Sequence, residues 1–296
     1  MMKLFLRFRN QNPPPPLQGR GAVGGTSYPR LSNAIIRFLI MVCIACAWSA
    51  TVRADEKPNK KRVIVIAHRG AHEQAPENSL AAFKKAAELG CDYVEVDVRT
   101  THDGKMVLMH DGSVDRTTNG KGTIKDMTLA QLRELRFRGQ WPDERIPTFD
   151  EALALCKGRI KVYIDHKDVK PADVMAAVEK HGMLADVVVY GSPELLKEYK
   201  RLQPKVWIMP PHPGSVEAIG KLVAELKPET LDGNIREWKL EEAQAAHAAG
   251  AQVWVDYPEN YDNEAGVQKA IEFDLEAIQT DHPERLIELL KQRNLR

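Results

Sequence analysis

Cysteine is scarce in this 296-residue chain: there are four, and two of them, Cys43 and Cys46, lie inside an apolar run. That excludes a small disulfide-stapled scaffold. Cys91 and Cys156 read as small buried hydrophobes rather than half-cystines. Neither sign of charge dominates, with 42 Lys+Arg against 41 Asp+Glu, and Gly (19) and Pro (18) are near globular averages. Collagen-like, coiled-coil and wholly disordered chains are thereby excluded. The one strongly apolar stretch, Phe38–Ala50, has 13 residues, too few to span a bilayer comfortably as a helix. No fixed-period repeat is visible. No Gly-rich phosphate fingerprint follows the first candidate strand, which disfavours a doubly wound nucleotide-binding sheet.

The balanced charge conceals an uneven distribution. Residues 1–54 carry seven basic side chains and no acidic one, leaving 35 basic against 41 acidic beyond them, a net of −6. Such a body has no general attraction to nucleic acid or to anionic membranes. The expected partner is a small molecule, with no nucleic acid, and no stable membrane partner unless the leader is retained. Basic residues, a short apolar run and Val52-Arg53-Ala54 form a signal-peptide pattern with cleavage near Ala54. The expectation is a protein exported to a periplasmic or extracellular space; the alternative is an uncleaved anchor. Residues 55–62 read as a charged linker and 63–296 as one domain.

Within that domain, β-branched runs alternate with amphipathic stretches. Strands are predicted at Val63–Ala67, Tyr93–Val98, Ile160–Ile164, Val187–Tyr190, Val206–Met209, Thr230–Asn234, Gln252–Val255 and Glu276–Gln279. Helices are predicted at Leu80–Leu89, Pro171–Lys180, Pro193–Leu202, Ser215–Leu226, Leu240–Ala249, Asn263–Ile271 and Pro283–Gln292. Eight strands, each leading into a helix or helix-bearing loop, predict an α/β fold of the (β/α)8 TIM-barrel type. A β-hairpin insertion is expected after the second strand, because Asp103-Gly104 separates two apolar runs.

Chemistry in such barrels sits where the strands end. His68-Arg69-Gly70 follows the first strand directly. Glu95 and Asp97, two apart in the second, share one side of it. Asp165 closes the third, with Lys167 two residues on. A two-residue turn at Asp103-Gly104 would set His110 opposite Asp97. Three converging carboxylates repel one another unless a cation sits between them, and an all-oxygen site suits Ca²⁺ or Mg²⁺. A rim salt-bridge cluster with Arg99, Arg69 or Lys167 is the plainer alternative. The two nearby imidazoles favour the functional reading, since they suit acid–base work near neutral pH. Asn78 or Ser79 reads as a helix N-cap. The remaining histidines, His72 and His212 among them, read as solvated, and Asp115–Gly122 as a polar loop bonding to itself through Asp115 and Arg116.

These residues resemble the glycerophosphodiester phosphodiesterase family. The likeness runs through AHRGAHEQAPENSLAAF, VEVDVRTTHDGKMVLMHD, DRTTNGKGTIKDMTLAQL, IPTFDEAL, KVYIDHK and EAIQTDHP. It implies that His68 and His110 are the catalytic acid–base pair and that Glu95, Asp97 and Asp165 hold a divalent cation. It also implies phosphate contacts from Arg69 and Lys167, with Glu77 close by. The implied reaction is hydrolysis of a glycerophosphodiester to sn-glycerol 3-phosphate and an alcohol, through a cyclic phosphate. The chain departs from the family in having Asp165 where Glu is usual, and VWVDYPEN where a Trp-Thr-Val-Asn signature is common. Trp254 or Asp256 is expected to line the substrate pocket. Rival readings are a phospholipase D-like enzyme acting on lysolipid diesters and a non-catalytic phosphodiester-binding barrel.

Overall fold

The computed structural model describes residues 61–258 and 260–296. The leader assigned to residues 1–54 and most of the linker lie outside the described residues. Eight parallel strands form the wall: β1 (Ile64–Ala67), β2 (Tyr93–Thr100), β4 (Lys161–His166), β5 (Val187–Tyr190), β6 (Trp207–Met209), β7 (Thr230–Leu231), β8 (Gln252–Asp256) and β9 (Ala277–Thr280). Their order is β6-β5-β4-β2-β1-β9-β8-β7. A parallel bridge between Pro211 and Asp232 joins the two ends, so the barrel is nearly closed.

The helices between them are α1 (Leu80–Leu89), α2 (Leu129–Glu134), α3 (Phe149–Cys156), α4 (Pro171–His181), α5 (Pro193–Leu202), α6 (Val216–Leu226), α7 (Leu240–Ala248), α8 (Glu264–Glu272) and α9 (Pro283–Gln292). Their starts follow from local chemistry. Ser79, Ser192, Ser215 and Asn263 accept hydrogen bonds from the first-turn amides, and proline occupies the first turns of α4, α5 and α9. None of the helices among the described residues is long and apolar enough to cross a membrane.

Strand alternation divides the core. Ile66, Tyr93, Tyr163, Val188, Met209, Trp254 and Ala277 fill the barrel interior. Val94, Val96, Ile164 and Ile278 face the helices and pack with Phe83, Phe149, Leu196 and Leu286. Cys91 and Cys156 are buried and unpaired, and burial pushes both thiols up to about 12.

β3 (Met106–Leu108) lies off the barrel path and pairs antiparallel with β2. Its register differs by one residue from the expected one: Val98 opposes Leu108 and Thr100 opposes Met106. The turn holds three residues rather than two, closed by Thr101 N–H to the Lys105 carbonyl at 2.9 Å, with Gly104 left-handed at φ +72°. A type I turn followed by a left-handed residue is the usual three-residue hairpin, and it displaces every later partner by one. His110 therefore lies beyond the strand rather than opposite Asp97. There Arg99 donates to the carbonyls of Met109 and His110.

Candidate active site

Because the wall strands are parallel, their C-terminal ends open on one face. Asp97 and Asp165 are register partners on β2 and β4, and Glu95 stands one layer below Asp97. Oxygens of Glu95, Asp97 and Asp165 come within 4.8 Å of one another. Glu95 and Asp97 are almost fully buried. Burial, then the neighbouring charges of Asp97 and Asp165, drives the Glu95 carboxyl well above its ordinary range. Burial also raises Asp165, against the opposing pull of Lys167.

Two cations face the trio. The Lys167 ammonium lies 3.0 Å from Asp97 and 2.6 Å from Asp165. Arg69 sits at φ +54° in the turn after β1, so its own amide donates to Glu95 at 2.8 Å. Its guanidinium lies 3.6 Å from Asp97 and 3.3 Å from Glu77. Asp97 thus meets Lys167 through Oδ1 and the Asn78 amide through Oδ2, the latter at 2.7 Å. A converging set of hard carboxylate oxygens fits a divalent cation.

The imidazoles flank this cluster in parallel arrangements. His68 donates from Nδ1 to Asp281 at 2.6 Å, and His110 from Nδ1 to Asp111 at 2.8 Å. A carboxylate only accepts, so the proton sits on Nδ1 in each ring and Nε2 is left for other partners. Asp281 also receives His72 Nε2 at 2.9 Å. Burial opposes the Asp281 charge, but the two histidine hydrogen bonds outweigh it and hold the carboxyl far below its usual range. Arg116 links the other side, donating to Asp111 at 2.7 Å and to both Glu77 oxygens at 2.6 and 2.8 Å.

The structure thus gathers His68, Arg69, Glu77, Glu95, Asp97, Asp165 and Lys167 at one rim, with His110 close enough to influence the Asp165 carboxyl. Trp254 is the exception. It is fully buried in the barrel interior, edge-on to Tyr93 at 5.1 Å, with its indole N–H donating to Gln252. The inward period of two that brings Asp256 to the rim puts Trp254 one layer deeper, where it has no face for a substrate. Two histidines read as solvated also prove engaged: His72 on Asp281, and His212 buried against Trp238 at a ring separation of 4.3 Å. The loop after Asp111 does bond to itself, Asp115 accepting from Gly122, but Arg116 reaches out to Glu77.

Sequence reasoning overlooked Asn78, Asp111 and Asp281. Ser79 caps α1, while Asn78, buried at φ +55°, donates to the Asp97 carboxylate and accepts from the Asp97 amide. A signal was present for each. Asn78 stands in the PEN segment, Asp111 directly follows His110, and Asp281 directly follows β9.

A family model described as the glycerophosphoryl diester phosphodiesterase family matches residues 68–294. The chain belongs to this family. The relatives it matches are named glycerophosphodiester phosphodiesterases, which are phosphoric diester hydrolases. A glycerophosphodiester phosphodiesterase from Caldanaerobacter subterraneus is 31% identical over 251 residues, covering 78% of this chain and 98% of the relative. Rat glycerophosphodiester phosphodiesterase 1 is 39% identical over 161 residues, but the match covers only 48% of that protein's length. The chain also spans 38% of the corresponding mouse protein. Among solved structures, an Oleispira antarctica phosphodiesterase in complex with the product sn-glycerol-3-phosphate aligns with a TM-score of 0.70 at 26% identity. It covers 77% of this chain and 96% of that one.

Proposed function

We propose that this protein hydrolyses glycerophosphodiesters to sn-glycerol 3-phosphate and an alcohol. The observation that carries the reading is a pair of imidazoles, each held through Nδ1 by a carboxylate, beside a converging trio of carboxylates. Glu95, Asp97 and Asp165 would hold Ca²⁺ or Mg²⁺, which when bound supplies positive charge against the phosphoryl oxygens. Arg69 and Lys167 add charge on the same side and offset what builds on those oxygens as the ester bond breaks.

His110 takes the proton of the glycerol 2-hydroxyl, whose oxygen attacks phosphorus to form a cyclic phosphate. His68 gives a proton to the departing alcohol oxygen. The roles reverse when water opens the cycle. Asp111 and Asp281 keep each Nε2 turned toward the reacting atoms by binding the opposite nitrogen. The shorter side chain of Asp165 is met by Lys167, which bridges it to Asp97.

The test is release of glycerol 3-phosphate from glycerophosphocholine by the purified full chain with Ca²⁺, with Mg²⁺ and with chelator. Release with one or both metals and none with chelator is expected. Equal release in chelator would refute the metal role, and no release from any glycerophosphodiester would refute the reaction.

A further inference from the structure

A cleft of about 200 Å³ opens beside His68, lined by Asn234, Asp256, Tyr257, Gln279 and Asp281. We propose that this cleft receives the leaving alcohol and selects one bearing a primary ammonium group, held by Asp256 and Gln279. The proposal rests on the reading of His68 as the acid that protonates the departing oxygen, which places the alcohol on this side of the phosphate.

Two carboxylates, Asp256 and Asp281, line the cleft. Asp256 ends β8 and points inward, and its Oδ1 accepts from Gln279 Nε2 at 2.7 Å. Neither Asp256 nor its interior neighbour Asp232 forms an ion pair with lysine or arginine among the described residues. The nearby cations are committed elsewhere, Arg69 to Glu77 and Asp97, Lys167 to Asp97 and Asp165. Burial lifts the Asp256 carboxyl to about 6, against the opposing pull of the neighbouring His68. Asp281 Oδ1 is already shared by His68 and His72.

Gln279 supplies the independent observation. It is only 8% exposed, and its Oε1 is buried without a donor. A buried acceptor left unpaired costs free energy, and a ligand donor removes that cost. A carboxyl group without a lysine or arginine partner and an orphaned amide oxygen, joined through the Gln279 amide N–H, together call for a ligand cation with several N–H donors. A primary ammonium has three. A quaternary ammonium has none and is recognised by aromatic faces, whereas Tyr257, the one phenol ring lining this cleft among the described residues, is buried beside Tyr261. A neutral polyol would donate hydrogen bonds but leave the Asp256 charge uncompensated.

The experiment compares kcat/KM of the full chain with Ca²⁺ at neutral pH on glycerophosphoethanolamine, glycerophosphocholine and glycerophosphoglycerol. The ethanolamine diester is expected to exceed each of the others by about tenfold or more. In Asp256→Asn the ethanolamine-to-glycerol ratio should fall to within about threefold of unity, since one charge-based contact accounts for the discrimination. Should that variant not fold, the wild-type ratios alone decide. Equal wild-type rates on all three would overturn the proposal while leaving the hydrolase reading intact. A choline diester equal to or faster than the ethanolamine diester would overturn the N–H recognition, as would an unchanged ratio in folded Asp256→Asn. Failure to hydrolyse any of them would overturn both readings.

Discussion

His68 and His110 each meet a carboxylate through Nδ1, and they differ in what else that carboxylate holds. Asp111 is braced by Arg116, which pulls its carboxyl well below the ordinary range, while Asp281 is shared with His72. The sharing gives Asp281 a pH signature. Its hydrogen bond raises His72 above its ordinary 6.5, and the same bonds lower Asp281. A raised histidine contributes stability that is full below its unfolded value and is lost as pH rises through the folded one. A lowered carboxyl contributes stability present above its unfolded value of 3.8 and lost as pH falls through the folded one. The two contributions therefore coincide from about pH 4 to about pH 6.5. Asp281→Asn is expected to lower the thermal midpoint most in that window and less at higher pH. It should also reduce kcat by about 10²- to 10⁴-fold through loss of His68 orientation. Thermal scans and kinetics across pH check both; a pH-independent deficit with normal kcat would show Asp281 to be merely structural. Asp281 was legible only as a motif residue, because its partner His68 lies 213 positions away and only barrel closure brings them together.

At the scale of elements, the turn after β1 is pressed onto α1. Gly70 has φ +87°, and a Cβ there would lie 2.6 Å from the Ala82 Cβ and 2.9 Å from the Ala82 backbone carbon. Gly70→Ala combines a left-handed penalty of about 1 kcal/mol with overpacking of about 1–3 kcal/mol. Urea unfolding should show a loss of about 2–4 kcal/mol by those same terms; an unchanged midpoint would mean the turn yields freely. Most strands and helices were readable because their period and caps agree. Leu80–Leu89, Pro193–Leu202 and Pro283–Gln292 match residue for residue. The misses have local causes. α2 and α3 are six and eight residues long, too short for a clear apolar period, yet each opens with a capping box, Thr128 with Gln131 and Thr148 with Glu151. The hairpin register failed because Asp-Gly serves a three-residue loop as readily as a two-residue one. Trp254 was misplaced because its neighbours in sequence were weighed without its depth along the strand.

Across the whole molecule, parallel strands far apart in sequence deliver functional groups to the same rim: His68 after β1, Glu95 and Asp97 on β2, Asp165 on β4 and Asp281 after β9. Strand ends were readable from the sequence, so Glu95, Asp97, Asp165 and His68 were too. The long-range partners that orient them, Asp281 on His68 and Arg116 on Glu77, depend on closure and were not. The arrangement also explains how a body of net charge −6 can receive an anionic diester. Its acidic residues are offset at the rim by Arg69 and Lys167, which stand against the carboxylate trio. The central claim is that His68 and His110 perform acid–base catalysis on a glycerophosphodiester. The most direct measurement follows phosphorus resonances of glycerophosphoethanolamine with Ca²⁺, for wild type and for His110→Ala. That side chain is 38% exposed, so its loss should leave the thermal midpoint nearly unchanged. Wild type is expected to build the glycerol 3-phosphate resonance, and the folded variant to do so at least about 10²-fold more slowly. A folded His110→Ala that turns over at the wild-type rate would contradict the assignment.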